Sequence, residues 1–265
     1  MNVLLASIDM AWENKNHNMI LCENILDSVS VNQIDLVIFP EMTLTGFSMN
    51  TQKIVEDIQG SKTINFFKNL ALKKKINIIF GMVLKRAETN NVSICVDSSG
   101  SIVNISPKIH PFSFSHEDLS IKPGDSLDIY KIKDFSVMNA ICYDLRFPEI
   151  FSARSKYIQA IIVIANWPHE RNSIWRNLLA ARAIENQSYV IGVNRTGADI
   201  NNLNHSHSSA VFLPDGTELN PKKNDGICSI YSLQSCVVKS ARQNMKVLND
   251  RRPSFYSHYL KDENR

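Results

Sequence analysis

Short apolar runs, each closed by polar or turn-forming residues, recur along the whole chain and predict strands. The first run includes Val3, Leu4 and Leu5, and Asp9 closes it. Runs of this length between turn signals are typical of buried strands. The predicted strands cover residues 2–8, 35–40, 76–84, 92–96, 102–105, 137–141, 160–165, 189–193, 209–213 and 227–231.

Between these runs, apolar residues recur with helical spacing, which predicts amphipathic helices. The predicted helices cover residues 17–30, 63–75, 148–156 and 173–186. Ser173 is a candidate N-terminal cap for the last of them. The turn at 97–100 predicts a hairpin, and the turn at 214–216 predicts a second antiparallel pair between 209–213 and 227–231. Strands, helices and hairpins together predict an α/β fold with a mixed sheet covered by helices.

The chain has 265 residues, 44% of them hydrophobic, which is enough to bury a large core. It contains no spacer rich in proline, glycine or serine and no fixed-period repeat. We therefore predict a single domain over residues 1–265, with a short polar C-terminal tail from about residue 253.

Charge and targeting signals exclude several classes of partner. The net charge is only +3, and the one dense basic run, 73–75, falls at the end of a predicted helix, so we expect no nucleic-acid partner. The N-terminus lacks a basic segment and no apolar stretch reaches membrane-spanning length, so we expect neither a signal peptide nor a membrane contact.

The cysteines bear on both redox compartment and metal binding. They are five in number and include no CxxC pair, which argues against a disulfide framework and against a zinc cluster. The pattern predicts a protein of the reducing cytoplasm. The cysteines are Cys22, Cys95, Cys142, Cys228 and Cys236.

Reactive side chains follow several predicted strands. Glu41, Cys142 and Asn166 each come directly after one, and open α/β sheets place their sites at such strand ends. A thiol where a helix begins can have its pKa lowered by the N–H groups there, which makes Cys142 a candidate nucleophile. Taken alone, each residue also has an ordinary interpretation, as a buried thiol or a solvated loop carboxylate.

Lys108 lies in an aperiodic segment, 106–118, that also carries histidines and phenylalanines, and we predict an ordered loop there. Acyl transfer by a thiol needs a nucleophile, a base and a cation that stabilises the oxyanion. Cys142, Glu41 and Lys108 supply one of each. Their separations along the chain do not by themselves assign these roles.

The segments around these three residues resemble a known family. They are similar, in the same order, to the three signature blocks of the nitrilase (carbon-nitrogen hydrolase) superfamily, and the similarity extends over nearly the whole chain. Within the superfamily the chain most resembles the omega-amidase-like branch. The matching segments read FPEMTLTGF, PKIHPF and ICYDLRFPE.

This resemblance implies a fold and a set of roles. The fold is a four-layer α-β-β-α sandwich, and in the family two such subunits often pack sheet to sheet into a longer sandwich, so we expect a homodimer. The roles are Glu41 as general base, Lys108 as oxyanion stabiliser and Cys142 as nucleophile. Glu117 matches a second acidic position that in the family helps to hold the lysine.

The implied activity is that of a cytoplasmic amidohydrolase that needs no metal and no cofactor. Cys142 attacks a small amide, ammonia departs, and water hydrolyses the thioester to a carboxylate. The resemblance favours omega-amides of 2-oxo dicarboxylic acids, such as 2-oxoglutaramate. The residues expected to contact the substrate are Tyr143, Phe112, Asn166, Trp167 and Arg171, the last as a cation for an anionic group.

Other functions stay open. The same trio serves deaminated-glutathione amidases, N-carbamoyl amidohydrolases and nitrilases, and Arg171 is equally consistent with a surface charge. From another class, a binding protein could keep the sandwich without turnover. A metal hydrolase using His205 and His207 lacks a nearby Cys, Asp or Glu at ligand spacing, and a papain-like protease lacks its flanking motif.

Two positions depart from the family pattern. The residue before Asn91 is not the aromatic that relatives usually carry, and His207 stands where they commonly have glycine. Neither belongs to the catalytic trio. Because loops near a pocket set specificity, both departures bear on the substrate and not on the reaction type.

Overall fold

Two β-sheets lie face to face in the computed structural model, which describes residues 1–29 and 33–261. The strands in chain order are β1 (Asn2–Ala6), β2 (Leu36–Ile38), β3 (Glu56–Asp57), β4 (Asn77–Lys85), β5 (Thr89–Val96), β6 (Ile102–Pro107), β7 (Tyr130–Ile132), β8 (Phe135–Ile141), β9 (Ala160–Ala165), β10 (Tyr189–Asn194), β11 (Gly197–Ala198), β12 (Asn204–His205), β13 (Ala210–Phe212), β14 (Lys223–Asn224) and β15 (Cys228–Ser232). The α-helices are α1 (Lys15–Ser28), α2 (Thr51–Ile54), α3 (Lys62–Lys74), α4 (Pro148–Arg154), α5 (Asn172–Asn186), α6 (Ser235–Asn244), α7 (Val247–Asp250) and α8 (Pro253–Leu260).

Both sheets are mixed. The first sheet has the order β14-β15-β1-β2-β4-β5-β6, with β3 paired to the end of β4, and its central strands β1, β2 and β4 are parallel. The second sheet has the order β13-β10-β9-β8-β7, in which β8, β9 and β10 are parallel and the two edge strands are antiparallel to them. β11 and β12 form a separate small pair.

The alternation of side chains along each strand builds the layers. Val3 and Leu5 of β1 pack against the second sheet, among residues such as Ile162 and Ile164 of β9. Leu4, between them in sequence, points the other way and packs with α1 and α3. On the far side, α4 and α5 cover the second sheet. The protein is therefore an α-β-β-α sandwich, which confirms the predicted fold class.

The strand directions bring the candidate residues to one edge. β6 is antiparallel to β5, which is antiparallel to β4, so β6 ends at the same edge as β2 and β4. Glu41 and Lys108 follow β2 and β6 in the first sheet, whereas Cys142 and Asn166 follow β8 and β9 in the second. Each sheet therefore contributes part of one site.

The predicted second antiparallel pair is wrong. The strand at 209–213 becomes β13 and pairs with β10, whereas the strand at 227–231 becomes β15 and pairs with β1 in the other sheet. The turn at 214–216 forms locally, and the chain after it crosses to the opposite layer. Both strands are short and apolar, so the choice of partner depended on which sheet edge was open.

Several element boundaries also differ from the predictions. Helix α5 begins at Asn172, and its N-terminal cap position is Arg171 without a side-chain cap bond, so Ser173 is not the cap. The segment 106–118, predicted as an ordered loop, contains two short 3-10 turns. The short strand β7 was not predicted.

The predicted helix 17–30 and the predicted C-terminal tail both end at residues outside the described part of the chain. Helix α1 ends at Ser28, and residue 30 lies outside the described residues. From Pro253 the chain forms the exposed helix α8, so the start of the predicted polar tail is helical and carries exposed aromatics, whereas residues 262–265 lie outside the described part. No described helix has both the length and the apolar character needed to cross a membrane.

Glu56 ties two outer helices to the first sheet. One carboxylate oxygen accepts hydrogen bonds from Lys15 Nζ of α1 and from Thr63 Oγ1 of α3, both at 2.6 Å. The other accepts from Ser61 Oγ at 2.6 Å and from the Thr63 N–H at 3.0 Å. Burial alone would raise the pKa of Glu56, but these donors outweigh it and lower the pKa to about 2.

We predict that Glu56→Gln lowers the free energy of unfolding at pH 7 by roughly 1 to 3 kcal/mol, because each unit of pKa depression corresponds to about 1.4 kcal/mol and the site is partly solvated. A depressed carboxyl pKa contributes stability above the unfolded value of 4.5 and loses it as the pH falls towards about 2. Urea unfolding at pH 7 and at about pH 3 should therefore show the deficit of the variant shrinking at the lower pH. An equal deficit at both would contradict the ionic role.

Candidate active site

Cys142 lies at a sharp bend directly after β8. Its φ is +47°, in the left-handed region that residues with a side chain rarely adopt, and the 3-10 turn Cys142–Arg146 follows. The preceding strand is buried between the first sheet and the helix layer, except at Ser136, which is half-buried. The bend carries the thiol out of the strand to the wall of a cavity, as the sequence predicts for a strand end.

Lys108 is buried between two carboxylates. Its Nζ lies 3.0 Å from Glu41 Oε1 and 2.8 Å from Glu117 Oε2, and all three side chains have almost no exposed surface. Burial alone would lower the pKa of Lys108, but Glu41 and Glu117 outweigh it, so the pKa lies above its ordinary value and the lysine is a cation. The structure thus brings together three residues that lie far apart in sequence.

Two asparagines fix the orientation of the Glu41 carboxylate. Asn91 Nδ2 donates to Glu41 Oε1 at 2.8 Å and to Glu117 Oε1 at 2.9 Å. The Asn166 N–H donates to Glu41 Oε2 at 3.0 Å, and Asn166 Nδ2 donates to the Glu41 carbonyl at 2.7 Å. Asn91 was not among the predicted site residues, because it lies just before the predicted strand 92–96 and its two bonds form only in the folded chain.

A glycine lets the first sheet approach the backbone of Glu41. A Cβ on Gly81 of β4 would lie 2.5 Å from the Met42 nitrogen and 2.8 Å from the Glu41 Cα, closer than real contacts allow. Only a residue without a side chain fits. Gly81 therefore belongs to the packing that places the carboxylate.

The thiol of Cys142 is protonated in the resting protein. Burial and the charge of Glu41 raise its pKa well above the ordinary value, and the nearby Lys108 only partly opposes them. The predicted lowering of the Cys142 pKa by a helix N-terminus is wrong, because a 3-10 turn and not an α-helix follows β8, and because burial and the charge of Glu41 raise the pKa. A thiolate must form by proton transfer when substrate binds.

The cavity beside the thiol has a volume of about 440 Å³. Cys142 and Lys108 reach its surface, whereas Glu41 and Glu117 lie behind it with no exposed surface. All five residues predicted to contact substrate line this cavity: Phe112, Tyr143, Asn166, Trp167 and Arg171.

Arginines give the cavity wall a positive charge. Arg146 lies over the ring of Trp167, 5.3 Å from its centroid, and Arg171 lies about equally far from the rings of Phe112 and Phe114, at 6.0 and 5.9 Å. Among the described residues, neither guanidinium is in an ion pair with a carboxylate. This arrangement suits an anionic ligand.

Three further residues of the cavity region complete the charge distribution. Arg195 also lines the cavity and forms an ion pair with Asp9 at 3.2 Å. Among the described residues that line the cavity, the acidic one is Asp199. His205 is buried at the cavity wall, whereas His207 is exposed and does not line the cavity. The departure at His207 therefore lies outside the cavity.

Comparison with known proteins relates this site to characterised families. The family model of the carbon-nitrogen hydrolases matches residues 4–243. The omega-amidase YafV of Escherichia coli (strain K12) is 29% identical over 218 residues, which are 82% of either chain. The 2-oxoglutaramate amidase of Bacillus subtilis (strain 168) is 29% identical over 203 residues, 76% of this chain and 78% of that protein.

A solved structure shares the whole architecture. It belongs to a CN-hydrolase superfamily protein of Xanthomonas campestris, with an arsenic adduct in its active site. The two structures align with a TM-score of 0.88 at 26% sequence identity, over 95% of this chain and 97% of the other. The similarity therefore extends to both sheets and both helix layers.

Proposed function

The chain belongs to the carbon-nitrogen hydrolase family, in its omega-amidase-like branch, and is an amide-hydrolysing enzyme; from this we propose that it cleaves 2-oxo acid amides of the 2-oxoglutaramate type through a thioester on Cys142. The observation that carries the proposal is the placement of Cys142 and Lys108 at a cavity, with Glu41 paired to Lys108 behind it, and with two arginines in the cavity wall that have no carboxylate partner among the described residues.

In the acylation step, Glu41 takes the thiol proton of Cys142, and the sulfur attacks the carbonyl carbon of the amide. The oxyanion that forms is stabilised by the Lys108 cation and by the backbone N–H near Tyr143. When the tetrahedral intermediate collapses, Glu41 returns the proton to the nitrogen, and ammonia leaves. The acyl group stays on Cys142 as a thioester.

Deacylation repeats these steps with water as the nucleophile. Glu41 takes a proton from the water, whose oxygen attacks the thioester carbon while Lys108 stabilises the second oxyanion. Collapse breaks the carbon–sulfur bond, and the thiol recovers its proton from Glu41. The products are a carboxylate and the free enzyme. The raised pKa of Cys142 fits the end of this cycle, because it favours return of the proton from Glu41 to the sulfur as the carbon–sulfur bond breaks.

The substrate proposal rests on charge. Guanidinium groups bind carboxylates in paired hydrogen bonds, and Arg146 and Arg171 are available for the ligand because, among the described residues, neither is in an ion pair, Asp199 of the same cavity included. The charge of Lys108 is already matched by Glu41 and Glu117, so it serves the oxyanion and does not anchor an acid group. Arg171 and Arg146 are the anchors for the carboxylate end of a 2-oxo acid amide. The omega-amidase and the 2-oxoglutaramate amidase among the relatives support the same substrate class.

Ammonia release tests the proposal directly. The purified protein is assayed with 2-oxoglutaramate, a neutral amide of the same chain length, deaminated glutathione, N-carbamoyl amino acids and nitriles. We expect kcat/KM to be highest for the 2-oxo acid amide. A higher value for deaminated glutathione or a carbamoyl compound would reassign the substrate, and turnover of nitriles alone would overturn the amidase mechanism.

We predict that Arg171→Gln raises KM for 2-oxoglutaramate by about 10- to 100-fold with little change in kcat, because a hydrogen bond to a charged group is worth about 1.5 to 3 kcal/mol. KM for the neutral amide should stay near the wild-type value. The matched control is Arg176→Gln, since Arg176 pairs with Glu218 and does not line the cavity. If both substrates lose affinity equally, Arg171 is not the carboxylate anchor.

The homodimer and the cytoplasmic location stay predictions from the resemblance. Light scattering of the purified protein at micromolar concentration checks the first. A stable monomer there would contradict it.

A further inference from the structure

The reacting groups come from two different sheets. Glu41 and Lys108 follow strands of the first sheet, whereas Cys142 follows β8 of the second. The packing between the sheets is mostly apolar, with a few buried polar pairs such as Asn139 with Ser93, and apolar contacts do not by themselves fix a side chain to within a fraction of an ångström. The alignment of the thiol with the lysine therefore depends on directional bonds that cross from one sheet to the other.

Asp144 makes such bonds. It is 1% exposed and lies two residues after Cys142 in the 3-10 turn. Its Oδ2 accepts from the N–H of Ile141, the last residue of β8, at 3.0 Å. Its Oδ1 accepts from the N–H of His110 at 2.8 Å, and the Ile109 N–H lies 3.4 Å from Oδ2.

The two segments that Asp144 joins are the ones that carry the reacting groups. Ile141 directly precedes Cys142, and Ile109 directly follows Lys108. One carboxylate thus accepts bonds on both sides of the boundary between the sheets. Behind the turn, Arg182 of α5 donates to the Leu145 carbonyl at 2.9 and 3.2 Å, which holds the turn to its own layer.

We propose that Asp144 is a positioning residue for this reaction, which clamps the Lys108 loop to the Cys142 turn and so sets the cation against the thiol. The proposal rests on the catalytic roles proposed above for Lys108 and Cys142. It goes beyond them because Asp144 contacts neither the substrate nor the reacting atoms: it is absent from the cavity lining, and its bonds are to backbone groups and one histidine.

The His110 side chain completes the clamp. Its Nδ1 lies 3.0 Å from Asp144 Oδ1, and its ring stacks on Phe147 with centroids 3.7 Å apart and planes 12° from parallel. Phe147 directly follows the 3-10 turn. The loop and the turn are therefore joined by a stacked ring pair as well as by the carboxylate.

A carboxylate is required because of the number of donors. Asp144 faces three backbone N–H groups and a histidine nitrogen, and two oxygens without hydrogens can accept from all of them. An asparagine would turn an NH₂ group towards some of these donors and leave buried N–H groups without acceptors. Asp144→Asn keeps the shape of the side chain and removes the function of the clamp.

The test compares kinetics with the reactivity of the thiol. We expect Asp144→Asn to lower kcat roughly 10²-fold with KM changed only a few-fold, because a misplacement of about 1 Å can cost that much. Alkylation of Cys142 by iodoacetamide is followed against pH by peptide mass spectrometry, with the exposed Cys236 as the internal reference. Its pH profile should shift upwards by about one unit, since the thiol loses part of the nearby cation.

The direction of the alkylation shift separates the clamp from other effects. Removing a negative charge near the thiol would by itself favour the thiolate and move the profile to lower pH. A purely structural loss would lower the unfolding temperature and leave the profile in place. Either result overturns the proposal, as does an unchanged kcat.

The matched control is Asp97→Asn. Asp97 likewise accepts backbone N–H groups in a turn, those of Ser99 and Ser101, but it lies in the hairpin between β5 and β6 away from the cavity. Its kinetics and alkylation profile should match the wild type. A decrease like that of Asp144→Asn would show that the effect is general to turn carboxylates and would overturn the proposal.

A second variant keeps the proposal testable if Asp144→Asn does not fold. His110→Ala removes one bond to Asp144 and the stacking on Phe147 but leaves the backbone donors, so kcat should fall a few-fold and the alkylation profile should shift in the same upward direction. Unchanged values would overturn the clamp. Because alkylation needs no substrate, failure of the substrate proposal would appear in the ammonia assays and leave this shift unaffected.

Discussion

Incubation of the wild-type enzyme with its amide substrate, followed by rapid acid quench, should leave an acyl adduct on the peptide that contains Cys142. Cys142→Ala should leave no adduct, and its ammonia release should fall roughly 10⁶-fold, the scale on which removal of a nucleophile acts. The physical reason is that no other thiol reaches the cavity: of the five cysteines, Cys142 is the one in its lining. Peptide mass spectrometry and an ammonia assay make the two measurements.

The remaining cysteines are internal controls. Cys22, Cys95 and Cys228 are buried, and burial raises the pKa of Cys95 and Cys228 to about 12, so these thiols should stay unmodified. Cys236 is exposed but lies on α6 away from the cavity, and Cys236→Ala should retain wild-type turnover. Turnover of Cys142→Ala at a near wild-type rate, or an adduct on another cysteine, would contradict the mechanism.

Glu41→Gln provides the complementary arm of the same experiment. It keeps the thiol and removes the group that accepts its proton, so the adduct should form on the same peptide but about 10²- to 10⁴-fold more slowly. The amide of the variant can accept from the Asn166 N–H only by turning its NH₂ group towards Lys108 and Asn91, so urea unfolding of the variant is measured alongside to show that it is folded. An adduct that forms at the wild-type rate would show that another group takes the proton.

The position of each reacting residue at a strand end could be predicted from local sequence. Apolar runs followed by Glu41, Cys142 and Asn166 are short-range signals, and the structure places all three at one edge. Lys108 could not be placed in this way, because it follows a hairpin whose partner strands had first to be identified. The family resemblance supplied that step, and the ion pairs with Glu41 and Glu117 agree with it.

The contacts that hold the site together could not be predicted from local patterns. Asn91 and Asp144 read as an ordinary strand asparagine and an ordinary turn aspartate, and their importance lies in bonds to residues dozens of positions away. The same limit explains the wrong pairing of β13 and β15. Periodicity identifies a strand, whereas its partner is decided by which sheet edge the folded chain leaves open.

The largest effect on stability is expected for Lys108→Met. The variant leaves Glu41 and Glu117 buried side by side without a cation, and breaking a buried pair in this way costs about 3 to 5 kcal/mol of the free energy of unfolding. Hydrolysis should also be lost, because Lys108 is the cation proposed to stabilise the oxyanion, whereas the cavity arginines are proposed to bind the carboxylate end of the substrate. Urea unfolding and the ammonia assay check the two effects.

The pH dependence of that deficit identifies its cause. Without the lysine, burial and mutual repulsion raise the pKa of the carboxyl pair, and a carboxyl whose folded pKa lies above its unfolded value destabilises the protein as the pH rises through that interval. The deficit of Lys108→Met relative to the wild type should therefore be larger at pH 8 than at about pH 5. A deficit that does not change with pH would point to lost packing instead of uncompensated charge.

Two further variants separate charge from packing in the same measurement. Lys108→Met combined with Glu117→Gln removes one of the two buried carboxylates that have lost their cation. The double variant should therefore recover part of the unfolding free energy and none of the activity. Lys53→Met is the matched control, because Lys53 pairs with Glu13 at the surface, where an ion pair is worth about 0 to 1 kcal/mol. If the double variant is no more stable than Lys108→Met alone, the two carboxylates do not repel each other across the vacated site, and the lysine acts there through its volume.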